Sequence, residues 1–159
     1  MIILASKTTK RVHFSFILSI FAAFLCIFTI SSCSKSGASE QDQMVSFAKS
    51  HSINYTTDAS GILYEIITPG NSTHPTVSNT ITVTYTGTLM NGNQFDAGTI
   101  TYGLSQLIPG WQVAVPKIGV GGEIKVLIPS SLGYGSAGAG SSIPGNAPLY
   151  FDIKLTAVK

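Results

Sequence analysis

The residues able to do chemistry gather in two stretches. One is Leu107 to Val115, Leu-Ile-Pro-Gly-Trp-Gln-Val-Ala-Val, which holds the only tryptophan of the 159-residue chain. Two aliphatics and a Pro-Gly turn signal precede a short helical pattern, which puts Trp111 in its first turn. A lone tryptophan in a small domain reads first as core. The alternative is a pocket floor, with Leu107 and Ile108 as its rim. The other stretch is Gln94-Phe95-Asp96. Asp96 follows an aromatic on a segment returning from a hairpin, and Tyr85 points inward on the preceding strand. A carboxylate among inward aromatics loses hydration and needs a donor, for which the Tyr85 hydroxyl is the candidate. A cap or an exposed turn is the other reading of Asp96.

Other chemistries are poorly provided for. His51 closes a helical stretch and His74 sits in a loop, with no carboxylate at ligand spacing, so no metal site is expected. There is no G-x-S-x-G, H-E-x-x-H or P-loop pattern. The glycines of the Ser136–Ser142 flap lack the Lys-Ser/Thr of a phosphate cradle. No cofactor is expected.

The elements that must position these residues follow from periodicity. Glu40 to His51 places Met44, Val45, Phe47 and Ala48 at helical spacing, with acidic residues at its start and Lys49 and His51 at its end, as the helix dipole favours. Packing on the domain is the plain reading of this helix; bringing two chains together is the alternative. Asn54 to Gly61 reads as a polar connector. From Gly61 the period becomes two: Ile62, Tyr64 and Ile66 alternate with Leu63, Glu65 and Ile67 until Pro69-Gly70-Asn71. Thr80 to Thr88 alternates Ile81, Val83 and Tyr85 with Thr82, Thr84 and Thr86, a half-buried antiparallel strand with a threonine ladder outside. Met90-Asn91-Gly92-Asn93 supplies a hairpin turn, and Thr99 to Leu104 is a short strand candidate. Gln112 to Ile118 reads as helix, limited by Pro116. Glu123 to Ile128 is a strand, Pro129 to Gly135 turns, and Ser136 to Ser142 is a flexible flap of Ser, Ala and Gly. In the last strand, Leu149 to Lys159, Leu149, Phe151, Ile153 and Leu155 face in while Tyr150, Asp152 and Lys154 face out. Several antiparallel strands with one short central helix predict an α+β domain.

The first thirty residues read as targeting rather than fold. Lys7, Lys10 and Arg11 precede a nearly unbroken apolar run, Phe14 to Ile30, followed by Ser31-Ser32-Cys33. That order predicts a secretory signal over residues 1–32. The cysteine at the junction resembles the lipobox of bacterial lipoproteins, which implies lipidation of Cys33 and membrane attachment through that lipid. An uncleaved anchor is the other reading, for which the run is slightly short. Residues 33–60 then hold the lipidated cysteine, a small polar tether and the short helix, and residues 61–159 the domain. Ser34 is not the acidic residue that retains some lipoproteins at an inner membrane, so the bacterial outer membrane, facing the periplasm, is the expected location. Cys26 leaves with the signal. Three of the nine basic residues precede Cys33 and all seven acidic ones follow it, so the remaining chain is close to neutral. With no basic stripe, nucleic acid is not an expected partner.

Five motifs in order then carry a resemblance: Val83-Thr84-Tyr85-Thr86-Gly87; Gln94-Phe95-Asp96; Leu107-Ile108-Pro109-Gly110-Trp111; Ile128-Pro129 with Leu132-Gly133-Tyr134-Gly135; and Leu149-Tyr150-Phe151-Asp152. From about Gly61 to Lys159 the chain resembles the FKBP-type peptidyl-prolyl cis-trans isomerases. The resemblance implies a half-open antiparallel β-sheet wrapped around a short helix, here preceded by the N-terminal helix. It also implies an apolar pocket for a proline ring. Trp111 would be its floor, Tyr85, Phe95 and Phe151 its walls, and Leu107 and Ile108 its rim. Ile100 and Ile143 would contribute further apolar surface, Tyr134 a polar edge, and Asp96 the pocket carboxylate. Tyr85, Asp96 and Tyr134 would be the catalytic set, with the Ile108 N–H and the Tyr134 hydroxyl holding peptide carbonyls. Asp96 would either orient Tyr85 or act on the twisted carbonyl. Two positions depart from the family: Ile100 stands where many relatives have an aromatic, and Ser142 replaces a flap aliphatic. The implied partners are proline-containing unfolded or folding polypeptides of the envelope. A non-catalytic peptide-binding or chaperone module using the same pocket is the alternative, and a purely structural lipoprotein a third.

Overall fold

A computed structural model describes residues 38–159. The apolar run and Cys33 lie outside the described residues. Helix α1, Glu40–Ser50, is followed by β1 (Thr56–Thr57), β2 (Leu63–Thr68), β3 (Thr80–Leu89), β4 (Gln94–Gly103), α2 (Pro109–Ala114), β5 (Glu123–Ile128) and β6 (Leu149–Val158). The strands form one antiparallel sheet in the order β1-β2-β5-β6-β3-β4. The α+β architecture of an antiparallel sheet with one short helix at its centre is the one expected.

The sheet has two covered faces, and alternation along each strand decides which residue serves which. Ile62, Ile81, Val83, Ile124, Val126, Ile128, Phe151, Ile153 and Leu155 face the main core, where Trp111, Ala114, Val115 and Ile118 meet them. On the opposite face Leu63, Leu127 and Tyr150 are cross-strand neighbours and form one row. Helix α1 covers that row with Met44, Phe47 and Ala48. Tyr150, expected to face out, is therefore half-buried, its ring 5.1 Å from that of Phe47. Packing of the N-terminal helix on the sheet is the observed arrangement. Ser39 caps it: its Oγ accepts from the Asp42 N–H at 3.1 Å, and the Asp42 carboxylate receives the Ser39 N–H at 3.3 Å. That reciprocal pair satisfies two otherwise unpartnered donors at the helix start.

Several boundaries differ from the expectation for identifiable reasons. The strand expected over Thr99–Leu104 runs the whole way from Gln94. Its N-terminal half carries Asp96 and Gly98, residues poor in β propensity, but pairing with β3 from Gly87 to Thr80 overrides that. Thr82 meets Thr101 at 2.9 Å and Thr84 meets Thr99 at 2.8 Å, so the threonine ladder spans two strands. The polar connector contains β1, paired with β2. Pro109-Gly110 is the first turn of α2 rather than a turn before it, because proline at the first helical position gives up an amide that has no partner there anyway. Gln112 to Ile118 is not one helix: α2 ends at Ala114, and a 3₁₀ turn over Val115–Lys117 takes up Pro116. In the flap, Ala139 and Ile143 exchange both backbone hydrogen bonds, at 2.9 and 3.1 Å.

Candidate active site

Gly110 lets α2 approach the sheet closely: a Cβ there would lie 2.5 Å from the Ile128 side chain. The approach seats Trp111 in the main core, 3% exposed. Its indole contacts two rings edge-on: Tyr85 at 5.1 Å and 80°, and Phe151 at 5.2 Å and 90°. Phe95 meets Phe151 at 5.5 Å and 89°. Such edge-to-face pairs are each worth about 0.5–1.5 kcal/mol beyond the area they bury. The four rings converge because β6, β3 and β4 are consecutive strands of the sheet and α2 packs on the core they share. Gly87 makes the convergence possible. A Cβ there would fall 2.6 Å from Phe95 and 2.9 Å from Phe151, which is why glycine interrupts a strand of β-branched residues.

These rings and their neighbours enclose a cavity of about 80 Å³, lined by Tyr85, Phe95, Asp96, Ile100, Leu107, Ile108, Trp111, Tyr134 and Phe151. An engineered cavity of roughly 150 Å³ takes a benzene ring. The present cavity thus suits a single smaller ring entering from an open side. Its floor and walls are apolar, and its polar atoms lie along one side. The Tyr85 hydroxyl donates to Asp96 Oδ2 at 2.5 Å, while Asp96 Oδ1 accepts the Ala97 N–H at 2.9 Å. Burial, then the hydrogen bond to Asp96, pushes the Tyr85 phenol up to about 12. Burial, then the charge of Asp96, also raises the Tyr134 phenol. Both hydroxyls therefore stay protonated throughout the neutral range, the Tyr85 proton being given to Asp96. At the rim, Gln112 Nε2 donates to the Leu107 carbonyl at 2.8 Å and the Ser105 carbonyl at 3.3 Å, fixing the rim to α2. Ile108 caps α2, its carbonyl accepting the Trp111 N–H at 2.9 Å. No acceptor for the Ile108 N–H is found among the described residues, as expected of a helix N-terminus.

Of the expected pocket residues, all but Ile143 line this one cavity. Ile143 is 6% exposed, packs into the main core and is held by its bridge to Ala139. Asp96 is neither a cap nor a turn residue, since it lies in β4 with its carboxylate on Tyr85, but it is exposed rather than dehydrated as expected, because β4 is the edge strand of the sheet. Ile100 lines the cavity. Ser142 instead borders a polar cleft with Asn93, Gln94 and Ser141, on the far side of Phe95. Two supports gave no sequence signal. One is the Gln112 staple. The other is Ser130, a buried polar residue bonded to Glu40 from 90 positions away.

The six-stranded antiparallel sheet, the short helix under it and the aromatic pocket define a class, and comparison with known proteins agrees with it. The chain belongs to the FKBP-type peptidyl-prolyl cis-trans isomerase family, whose profile matches residues 71–156. A probable FKBP-type peptidyl-prolyl cis-trans isomerase FkpA of Neisseria meningitidis serogroup B is 43% identical over 107 residues, covering 64% of this chain and 39% of that one. The outer membrane protein MIP of Legionella longbeachae is 42% identical over 105 residues, covering 63% and 45%. The crystal structure of FkpA from Escherichia coli superposes with a TM-score of 0.69 at 34% identity, covering 76% of this chain and 59% of that one. The chain thus spans less than half the length of either sequence relative.

Proposed function

We propose that residues 61–159 act as a peptidyl-prolyl cis-trans isomerase on proline-containing segments of folding polypeptides. The observation that carries this reading is the cavity itself: one ring-sized apolar site floored by Trp111, with the Asp96-held Tyr85 hydroxyl and the Tyr134 phenol on one side. The barrier to X-Pro rotation, about 18–20 kcal/mol, arises from amide resonance. Resonance gives the planar amide a large dipole that water stabilises, and twisting removes it. An apolar cavity therefore disfavours the planar form more than the twisted one, which is preferential binding of the transition state. In this scheme Trp111, Tyr85, Phe95, Ile100 and Phe151 hold the ring. The Ile108 N–H and the Tyr134 hydroxyl bind flanking carbonyls, and Asp96 fixes Tyr85. The test is NMR exchange spectroscopy on an X-Pro peptide with the purified protein. Acceleration lost in Trp111→Phe supports the reading. Peptide binding without acceleration refutes it in favour of a non-catalytic peptide-binding module.

We further infer that the protein works in the bacterial envelope, with residues 1–32 removed as a signal and Cys33 lipidated as a membrane anchor. The order of basic residues, apolar run and Ser-Ser-Cys supports this, as does the printed name of the Legionella relative, an outer membrane protein. Among the described residues no helix is long and apolar enough to cross a membrane. Labelling of cells with a clickable fatty acid tests the anchor. The wild type should carry the label and Cys33→Ser should not; equal labelling of both overturns it.

A further inference from the structure

Ser130 is the one buried polar residue among those described, 6% exposed, and all three of its hydrogen-bonding groups are engaged. Its N–H and Oγ both donate to the Glu40 carboxylate, at 2.6 Å to Oε2 and 2.7 Å to Oε1. Its carbonyl accepts the N–H groups of Gly133 and Gly135, at 2.9 and 2.8 Å. Those two amides flank Tyr134. The same residue is thus gripped on one side by the first residue of α1 and on the other holds the backbone on both sides of a pocket phenol. Tyr134 has one further backbone bond, its carbonyl accepting the Gly138 N–H at 3.2 Å, but it is 39% exposed and stands on a turn rather than a strand. Gly135 passes the grip onward, its carbonyl accepting the Asn146 N–H at 2.8 Å beyond the flap.

We propose that Glu40 is a positioning residue for Tyr134, acting through Ser130, so that the N-terminal helix sets the geometry of the pocket's polar edge. The inference rests on the isomerase reading for its consequence but not for its geometry. Both carboxylate oxygens are needed to satisfy the two Ser130 donors. Removing the carboxylate leaves two buried donors unpartnered, a strong incentive for the turn to move toward water. Glu40→Gln keeps one acceptor oxygen and should hold the turn in part. A role confined to stability would lower the melting temperature while leaving the pocket of the folded fraction unchanged.

The experiment uses the full-length protein, with Glu40→Ala and Glu40→Gln made in the wild-type and Tyr134→Phe backgrounds. Folding is verified by circular dichroism below the melting transition. Glu40→Ala should lower kcat/KM about three- to tenfold and Glu40→Gln less. In the Tyr134→Phe background neither should have a further effect, since the hydroxyl they position is already gone. Independently of activity, ¹³Cζ-tyrosine NMR reads Tyr134 directly, its signal identified by its loss in Tyr134→Phe. Loosening the turn should lower the raised titration of that phenol, because burial is its main cause. Equal losses in both backgrounds, with the Tyr134 signal unmoved, overturn the proposal. A wild type that accelerates nothing refutes the isomerase reading instead, and the Tyr134 titration alone then decides whether Glu40 positions it.

Discussion

The role of Asp96 can be separated experimentally from that of Tyr85. Both carboxylate oxygens are committed, Oδ2 to the Tyr85 hydroxyl at 2.5 Å and Oδ1 to the Ala97 N–H at 2.9 Å. Each oxygen keeps a second lone pair and the residue is exposed, so fixing the phenol is the proposed role of Asp96, to be tested against direct action on the twisted carbonyl. The perturbations are Asp96→Ala, Tyr85→Phe and the pair. Hydrogen bonds to charged groups contribute about 1.5–3 kcal/mol when buried. Tyr85 is half-buried, so solvent screening reduces this one to about 1 kcal/mol, or about fivefold in kcat/KM. The Tyr85→Phe side chain retains the ring that meets Trp111 at 5.1 Å, so the floor stays packed. In NMR exchange spectroscopy on an X-Pro peptide, Asp96→Ala should cost about fivefold with Tyr85 present and next to nothing in the Tyr85→Phe background. The same loss in both backgrounds would mean that Asp96 acts on the substrate itself, and the reasoning from its committed oxygens would be wrong.

Trp111→Ala should lower stability by about 3–5 kcal/mol, as truncation of a fully buried aromatic does, which chemical denaturation would measure; Trp111→Phe should remain folded yet lose most of the exchange activity. Gly87→Ala puts a methyl 2.6 Å from Phe95 and 2.9 Å from Phe151, and should cost about 1–3 kcal/mol by overpacking while closing the cavity to proline peptides in a titration calorimeter. Asp58 is held well below the ordinary aspartate range, first by the Lys117 ammonium at 2.7 Å and then by the Ser60 N–H and hydroxyl. The lowered value makes Asp58 stabilising above about pH 4, the unfolded aspartate range, and that stabilisation is lost as pH falls from there toward the lower folded value. Asp58→Asn should therefore flatten the acid limb of a stability–pH curve and leave the neutral region parallel to wild type.

The pocket was legible in the sequence to the extent that its residues sit on strands with clear alternation. Tyr85 follows Ile81 and Val83 at a period of two, and Phe151 lies between Leu149 and Ile153, so their inward direction follows from neighbours that must be buried. Trp111 could be read as core or floor, and it is both: 3% exposed, with the cavity resting on it. What the sequence did not reveal depends on contacts between distant segments. Tyr150 alternates outward like Asp152 and Lys154, and packing against Phe47 of α1 is what half-buries it. Ser130 looks like an ordinary turn serine, because its partner Glu40 looks like an ordinary acidic residue at a helix start. The Pro-Gly pair misleads for a local reason. Proline suits a turn and a helix N1 equally well, and the choice falls to Gly110, whose missing Cβ lets the helix press on Ile128.

The energy that isomerisation requires bears on why the rings are arranged as they are. Uncatalysed X-Pro exchange takes roughly 100 s, and bringing it to about 10 ms requires about 5 kcal/mol of transition-state preference. Two hydrogen bonds to flanking carbonyls, at about 0.5–1.5 kcal/mol each, cannot supply that, and they are made to planar and twisted forms alike. Most of it has to come from the difference in solvation between a planar amide and a twisted one. That difference survives only if the cavity cannot adapt to the planar dipole. Trp111, Tyr85, Phe95 and Phe151 meet edge to face, with interplanar angles of 80°, 89° and 90°, so each ring is braced by the next. The bracing depends in turn on Gly87 and Gly110, which let the rings and the helix come close. In the proposed isomerisation the two glycines would therefore matter alongside the hydroxyls, by letting the rings that line the cavity pack closely.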